Sequence, residues 1–130
     1  MQSDRSLSIR VLVVDDHKIV REGLASLLSE QADIEVIGQA GNGREAVDMA
    51  SRLNPSVVIM DVSMPLMNGE EATRQIKIVS PETRIIAFSM FEDNEIVQKM
   101  YRAGAECYVL KTAPCVNILA AIRNGKERIQ

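Results

Sequence analysis

The chain has 130 residues, 46% of them apolar, and a formal net charge of −3, which suits one globular domain with a full-sized core. This charge excludes a basic field that recruits nucleic acid, and 3% aromatic residues leave few rings for base stacking. No apolar run could span a bilayer and no signal-peptide pattern opens the chain, so we expect a cytoplasmic protein that does not contact a membrane. Cys107 and Cys115 fit no zinc or redox spacing and are predicted to be reduced and partly buried.

The first element is predicted to be a buried strand, Ile9–Val14, which Asp15 and Asp16 close. Residues 1–8 before it are polar and are predicted to be a disordered tail. A helix then begins at Lys18, because the apolar period changes there. Its predicted inward residues are Val20, Leu24, Leu27 and Leu28.

The third strand carries the most informative pattern of the chain. A more exposed strand at residues 34–38 precedes it, and so does a helix that Asn54 and Pro55 end. That helix is predicted to place Ala46, Val47, Ala50 and Leu53 inward. Residues 57–60 are then four apolar residues in a row that end in Asp61, as in a central strand covered on both faces.

The second half repeats the alternation of strands and helices. A helix begins at Gly69, strands are predicted at Arg84–Ser89 and at residues 106–111, and a helix at Asn94–Ala103 separates them. The third helix is predicted to face inward with Ala72, Ile76 and Val79, and the last helix with Ile118, Leu119 and Ile122. Five strands alternating with five helices specify an α/β fold with a parallel sheet and helices on both faces. The flavodoxin-like (βα)5 strand order 2-1-3-4-5 is the natural expectation.

Polar residues end four of the five predicted strands: Asp15 with Asp16, Asp61, Ser89 and Lys111. The carboxyl ends of parallel strands share one edge, so these side chains should converge there. Carboxylates that crowd together raise each other's pKa or require a cation, and an oxygen-rich site with open positions suits Mg²⁺. An Asp nucleophile, a metal ion and an ammonium group match phosphoryl transfer onto Asp61.

Taken singly, each of these residues has a simpler interpretation. Asp15 or Asp16 could cap the first helix, and Ser89 could be a turn residue. Lys111 alone would be a solvated surface lysine, and His17 is predicted to lie at the surface. The joint pattern on one edge favours function over these alternatives.

At these residues the sequence resembles the receiver domain of bacterial two-component response regulators. The motifs are Val13-Val14-Asp15-Asp16-His17, Met60-Asp61 with Met64-Pro65 and Asn68-Gly69, Ser89, and Gly104-Ala105 before Tyr108 and Lys111. The resemblance assigns residues 9–130 to one receiver domain. The residues around these motifs are similar to those of the NarL/FixJ subfamily, whose members carry a C-terminal LuxR-type helix-turn-helix.

This resemblance implies a role for each site residue. Asp61 would be the phosphoacceptor and Lys111 would pair with the phosphoryl oxygens. Asp15, Asp16, Asp61 and the backbone carbonyl of Ser63 would hold Mg²⁺, and Ser89 and Tyr108 would form a switch pair. The domain would promote only its own phosphorylation and dephosphorylation, so it would not be an enzyme in the usual sense.

The resemblance also implies partners. A sensor histidine kinase would donate the phosphoryl group, and phosphorylation would drive a transcriptional output and a homodimer. DNA would be bound only through a helix-turn-helix domain absent from this chain. The similarity to the subfamily that carries this domain favours an excised receiver over a stand-alone one. Many receivers have proline directly after the lysine, whereas Thr112 follows Lys111 here, so the sequence leaves the isomer of that bond open.

Three alternative interpretations of the sequence compete with its interpretation as a receiver domain. A haloacid dehalogenase-like phosphatase needs a second Asp two residues after its nucleophile, but His17 stands there after Asp15. A flavodoxin-like FMN domain needs a phosphate loop after the first strand, where Asp15 and Asp16 would repel phosphate. An interaction or dimerisation module that is never phosphorylated stays open as the alternative.

Overall fold

The five strands form one parallel sheet in the order β2-β1-β3-β4-β5 in the computed structural model, which describes residues 8–64 and 67–125. The strands are β1 (Ile9–Val14), β2 (Ile34–Ala40), β3 (Val57–Asp61), β4 (Arg84–Ser89) and β5 (Cys107–Leu110). The predicted parallel α/β sheet and its strand order are therefore confirmed. The predicted tail at residues 1–8 lies outside the described residues except for Ser8.

Helices cover both faces of this sheet because each central strand is apolar on both sides. The helices are α1 (Lys18–Ser29), α2 (Gly43–Leu53), α3 (Gly69–Val79), α4 (Asn94–Ala103) and α5 (Cys115–Asn124). Val11 and Val13 of β1 belong to one core cluster, with side chains of α1 and α5. Leu12 and Val14 belong to a second cluster, with side chains of α2, α3 and α4. Alternate residues of one strand thus face opposite layers, as the pleat of a strand requires.

Three residues are more exposed than predicted: Val20 and Val79, which were predicted to face inward, and Cys115, which was predicted to be partly buried. Val20 is 39% exposed and Val79 is 45% exposed, and Cys115 is also exposed. Each lies in the first or last turn of its helix, where the sheet no longer covers the helix. The central residues of the same stripes, such as Leu24, Leu28 and Ile76, are buried as predicted.

Strand lengths differ slightly from the prediction. β2 extends two residues further than predicted, to Ala40, and its register against β1 shifts between Val11 and Leu12. Because of this irregularity, Ile37 has no residue opposite it in the register with β1. The period-2 pattern of the sequence does not reveal such a skipped residue. β5 is shorter than predicted, so Lys111 follows the strand instead of closing it. Among the described residues, no helix has the length and apolar character needed to cross a membrane.

Candidate functional site

The pairing of β1 with β3 brings two carboxylates together at the carboxyl edge of the sheet. Val14 is in register with Met60, so Asp15 and Asp61, the next residues along each chain segment, become neighbours. Both are buried, with exposed fractions of 2% for Asp15 and 4% for Asp61. Burying two like charges side by side is unfavourable unless a cation accompanies them.

Lys111 supplies a positive charge to both acids. Its Nζ lies 2.7 Å from Asp15 Oδ2 and 3.2 Å from Asp61 Oδ1, and its side chain is only 9% exposed. The backbone N–H of Lys111 donates to the Ser89 carbonyl at 2.7 Å, which holds the residue against the end of β4. The interpretation of Lys111 as a solvated surface residue is therefore wrong. The Lys111–Thr112 bond, left open by the sequence, is trans, since the described residues contain no cis peptide bond.

The start of α1 rules out the capping interpretation of the acid pair. The N-cap residue of α1 is His17, and its side chain makes no capping hydrogen bond. Asp15 Oδ1 instead accepts a hydrogen bond from the His17 backbone N–H at 2.9 Å. The carboxylate of Asp16, whose side chain is 25% exposed, is thus left to face the site.

His17 lies beside the acid cluster in space as it does in the sequence, where it was predicted to be a surface residue because nothing places a nucleophile against it. Its ring is 70% exposed, as predicted, but Nδ1 lies 3.2 Å from Asp16 Oδ1 and 3.4 Å from Asp15 Oδ1. Adjacency to Asp15 and Asp16 in the sequence was the available signal for this contact.

The charges of the site shift the pKa of Asp61. Burial and the neighbouring Asp15 carboxylate raise the pKa of Asp61 to about 6, and Lys111 opposes that rise only in part. Burial disfavours the charged form of Lys111, but the hydrogen bond to Asp15 and the two carboxylate charges raise its pKa overall. Lys111 therefore remains charged, but its single positive charge does not fully offset the burial of Asp61 and the repulsion from Asp15.

The loop after β3 approaches the backbone of Asp61 closely. Asn68 Oδ1 accepts from the Glu71 N–H at 2.9 Å and caps α3. The Gly69 N–H donates to the Val62 carbonyl at 3.0 Å, and a Cβ at Gly69 would overlap the Asp61 carbonyl oxygen. Glycine is required at this position because only a residue without a side chain permits that approach. Ser63 lies in this loop, whose residues 65 and 66 are outside the described part of the chain.

Ser89 and Tyr108 are joined through the backbone of one residue, Phe91. Ser89, which is 5% exposed, accepts a hydrogen bond at Oγ from the Phe91 N–H at 3.1 Å. The Tyr108 hydroxyl donates to the Phe91 carbonyl at 2.8 Å. This connection between the predicted switch residues was not visible in the sequence, since Phe91 lies in the loop between β4 and α4.

The acid cluster has the donor set for a divalent cation. Asp15, Asp16, His17 and Asp61 each offer a ligand atom, and these atoms lie within 4.8 Å of one another. Asp61 Oδ2 is buried and has no hydrogen-bond partner within the described parts of the chain. A buried carboxylate oxygen without a donor is costly, and a hard cation with open coordination positions would satisfy it. The residues present therefore fit Mg²⁺.

Comparison with known proteins gives one consistent result. A family model for the response regulator receiver domain matches residues 11–123. The transcriptional regulatory protein LiaR of Bacillus subtilis (strain 168) is 47% identical over 119 residues, which are 92% of this chain and 56% of LiaR. Response regulator protein VraR of Staphylococcus aureus is 41% identical over 117 residues, which are 90% of this chain and 56% of VraR.

A solved structure agrees with these relatives in fold. A two-component response regulator of the LuxR family from Aurantimonas sp. SI85-9A1 superposes with a TM-score of 0.88 at 32% identity. The match covers 94% of this chain and 89% of that one. The chain spans about half the length of the curated relatives it matches.

Proposed function

This chain belongs to the response regulator receiver domain family, and we propose that Asp61 is the residue on which it accepts a phosphoryl group. The observation that carries the proposal is the state of the Asp61 carboxylate. One oxygen lies 3.2 Å from Lys111 Nζ, and the other is buried without a hydrogen-bond donor among the described residues. Family membership places the chain with receivers and not with ordinary enzymes.

The chemistry proposed for Asp61 is a single phosphoryl transfer. One Asp61 oxygen forms a bond to phosphorus while the bond from phosphorus to its donor breaks, and the leaving imidazole or carboxylate departs with its electron pair. Such a transfer needs little covalent help from the protein, so positioned charge supplies most of the catalysis. Lys111, held between Asp15 and Asp61, is placed to neutralise the phosphoryl oxygens.

Mg²⁺ would be held by Asp15, Asp16, Asp61 and the backbone carbonyl of Ser63. When bound, the ion neutralises carboxylate and phosphoryl charge at the site. The protein's own residues set up this arrangement: Asp15 turns one oxygen to Lys111 and the other to the His17 N–H. The unpartnered oxygen of Asp61 supports the assignment of this carboxylate as a ligand.

The donor and the output belong to the same proposal. A sensor histidine kinase would supply the phosphoryl group, and a small acyl phosphate would replace it in solution. Ser89 and Tyr108 would act as the switch pair, and phosphorylation would promote a symmetric homodimer and control a DNA-binding output domain. The regulatory names of LiaR and VraR support such an output. The predicted cytoplasmic location stays a prediction.

Treatment with Mg²⁺ and acetyl phosphate, followed by intact-mass measurement, tests the proposal. The wild-type chain should gain one phosphoryl group, and Asp61→Asn should gain none. Asp48→Asn is the matched control, because the Asp48 side chain is 69% exposed and pairs with Arg52 on the surface of α2. Unchanged phosphorylation of Asp61→Asn would refute the assignment, and a wild-type chain that never gains mass would favour the unphosphorylated interaction module.

A further inference from the structure

The His17 ring is held against the acid cluster even though most of it is open to solvent. The His17 backbone N–H donates to Asp15 Oδ1 at 2.9 Å, which fixes the residue beside the cluster. Its Nδ1 then lies 3.2 Å from Asp16 Oδ1 and 3.4 Å from Asp15 Oδ1. Asp61, a member of the same cluster, is 4% exposed and has one oxygen without a hydrogen-bond partner in the described residues.

We propose that His17 Nδ1 is a ligand of this metal site and gives it selectivity for imidazole-binding ions such as Ni²⁺ and Zn²⁺ over Mg²⁺. The inference rests on the proposed function, since it uses the same carboxylates of Asp16 and Asp61. It adds a nitrogen ligand to a donor set that is otherwise made of oxygen atoms.

The distances around Nδ1 agree with shared ligation of one ion. Ligand atoms about 2.1 Å from a metal ion lie about 3.0 Å apart in an octahedron and about 3.4 Å apart in a tetrahedron. The separations of Nδ1 from the nearest oxygens of Asp16 and Asp15, 3.2 Å and 3.4 Å, fall in this range. An ion could therefore bind Nδ1 and a carboxylate oxygen with little movement of the ring.

The chemistry of the ligands sets the expected selectivity. Carboxylate, carbonyl and water oxygens suit Mg²⁺, whereas imidazole suits Ni²⁺, Zn²⁺ and Cu²⁺, and affinity rises from Mn²⁺ towards Cu²⁺. His17 should therefore contribute little to Mg²⁺ binding and much to Ni²⁺ binding. The same residue would make phosphorylation sensitive to which divalent cation fills the site.

Calorimetric titration with Ni²⁺ and with Mg²⁺ separately tests this selectivity on the untagged chain. The background carries Cys115→Ser, because Cys115 is exposed and its thiolate could bind Ni²⁺ elsewhere. Loss of an outer-shell partner alone typically weakens metal binding about 10- to 100-fold, so His17→Gln should lower the ratio of Ni²⁺ to Mg²⁺ affinity at least about tenfold. Asp16→Ala is the matched control, because it removes an oxygen ligand and should weaken both ions.

A spectroscopic measurement identifies the ligand directly. His17 is the only histidine of the chain, so any imidazole nitrogen coupled to bound Mn²⁺ in pulsed electron paramagnetic resonance must belong to it. This coupling should be present in the wild-type chain and absent in His17→Gln. A Mn²⁺ complex without nitrogen coupling, or an affinity ratio that changes less than twofold, would overturn the inference. If the chain still binds Mg²⁺ and gains a phosphoryl group, the proposed function stands; failure to bind Mg²⁺, Mn²⁺ and Ni²⁺ alike would overturn both.

Discussion

At the scale of single residues, the carboxylates of the site repel one another when no metal ion is bound. Asp15 and Asp61 are buried side by side with one ammonium group between them, and Asp16 adds a third carboxylate at the rim. Their repulsion is a cost to the fold when no metal is bound, and the same repulsion favours binding of a cation. Removing a charge should therefore stabilise the metal-free chain while impairing its chemistry.

Asp61→Asn should stabilise the metal-free fold most at neutral pH. The pKa of Asp61 is raised from 3.8 to about 6 by burial and by Asp15, so the folded state prefers the protonated form. The contribution of this group to stability is fully present below pH 3.8 and is lost as the pH rises through 6. At pH 7, ionisation of Asp61 lowers the free energy of unfolding by up to about 3 kcal/mol. The stabilisation of Asp61→Asn relative to wild type should therefore be smaller by about 1 kcal/mol at pH 5 than at pH 7.

Urea denaturation in excess chelator at pH 7 and pH 5 measures this effect. Asp48→Asn should show no such pH dependence, because its carboxylate is exposed. An Asp61→Asn chain less stable than wild type at pH 7 would contradict the electrostatic account of the site.

Asp16→Ala should weaken Mg²⁺ binding and raise the melting temperature in excess chelator. The substitution removes one of the proposed carboxylate ligands and also relieves like-charge crowding. It should not cost a helix cap, because the N-cap residue of α1 is His17 and makes no side-chain capping bond. Calorimetric Mg²⁺ titration and thermal melts in chelator give the two readouts. A lower melting temperature than wild type in chelator would mean that Asp16 matters chiefly for the local fold.

At the scale of elements, arginine side chains near the starts of two strands donate hydrogen bonds to the last carbonyls of two helices. These contacts lie at the edge of the sheet opposite to the site. Arg10 of β1 donates to the carbonyls of Leu53 and Asn54 at 2.7 Å each, where α2 ends. Arg84 of β4 donates to the Ala121 carbonyl at 2.8 Å and the Ile122 carbonyl at 3.0 Å, in the last turn of α5. These side chains satisfy terminal carbonyls and place positive charge at the negative end of each helix dipole.

Arg84→Met should loosen α5 specifically. Arg84 also pairs with Glu106 at 3.0 Å, and its side chain is only 29% exposed, so its loss leaves a carboxylate and two carbonyls with weaker partners. We expect a destabilisation of about 2 kcal/mol, since hydrogen bonds to charged groups contribute more than neutral ones. Amide hydrogen exchange should accelerate in α5 more than in α2.

The control for this prediction is Arg52→Met. Arg52 is 60% exposed and pairs with Asp48 at i,i+4 on the surface of α2. Such a pair contributes less than about 0.5 kcal/mol, so the variant should resemble wild type in exchange and stability. Equal effects of the two substitutions would show that Arg84 does not anchor α5.

At the scale of the whole molecule, the backbone of Phe91 links the proposed phosphorylation site to the face formed by α4, β5 and α5. Ser89 Oγ accepts a hydrogen bond from the Phe91 N–H, and the Tyr108 hydroxyl donates one to the Phe91 carbonyl. Tyr108 also lines a groove of about 530 Å³, together with Val97, Tyr101 and Asn117. A phosphoryl group on Asp61 adds negative charge and strong acceptors, and a Ser89 hydroxyl drawn towards it would release Phe91. Tyr108 would then be free to turn into the groove, as a two-state switch requires.

Beryllofluoride with Mg²⁺ should therefore shift amide NMR signals from Asp61 through Ser89 and Phe91 to α4, β5 and α5. Ser89→Ala should reduce the distal shifts, because the hydroxyl that couples the site to Phe91 is gone. Tyr108→Phe is the companion variant: it removes the bond to the Phe91 carbonyl and should change α4 and α5 signals before any addition. Shifts confined to the loops around Asp16, Asp61 and Lys111, or distal shifts intact in Ser89→Ala, would exclude this route.

Patterns in the amino-acid sequence were enough to predict the elements, the parallel sheet and the edge on which the acids meet. Apolar periodicity defines strands and helices locally, and the common direction of parallel strands then places Asp15, Asp61, Ser89 and Lys111 at one edge without further information. The contacts within that edge became known from the packed fold: Lys111 lies between both buried acids, His17 Nδ1 lies near them, and Phe91 is hydrogen-bonded to both Ser89 and Tyr108. Those contacts depend on the side-chain rotamers and loop paths that packing selects. Of the three, only the nearness of His17 to the acids had a signal in the sequence, its position directly after Asp15 and Asp16.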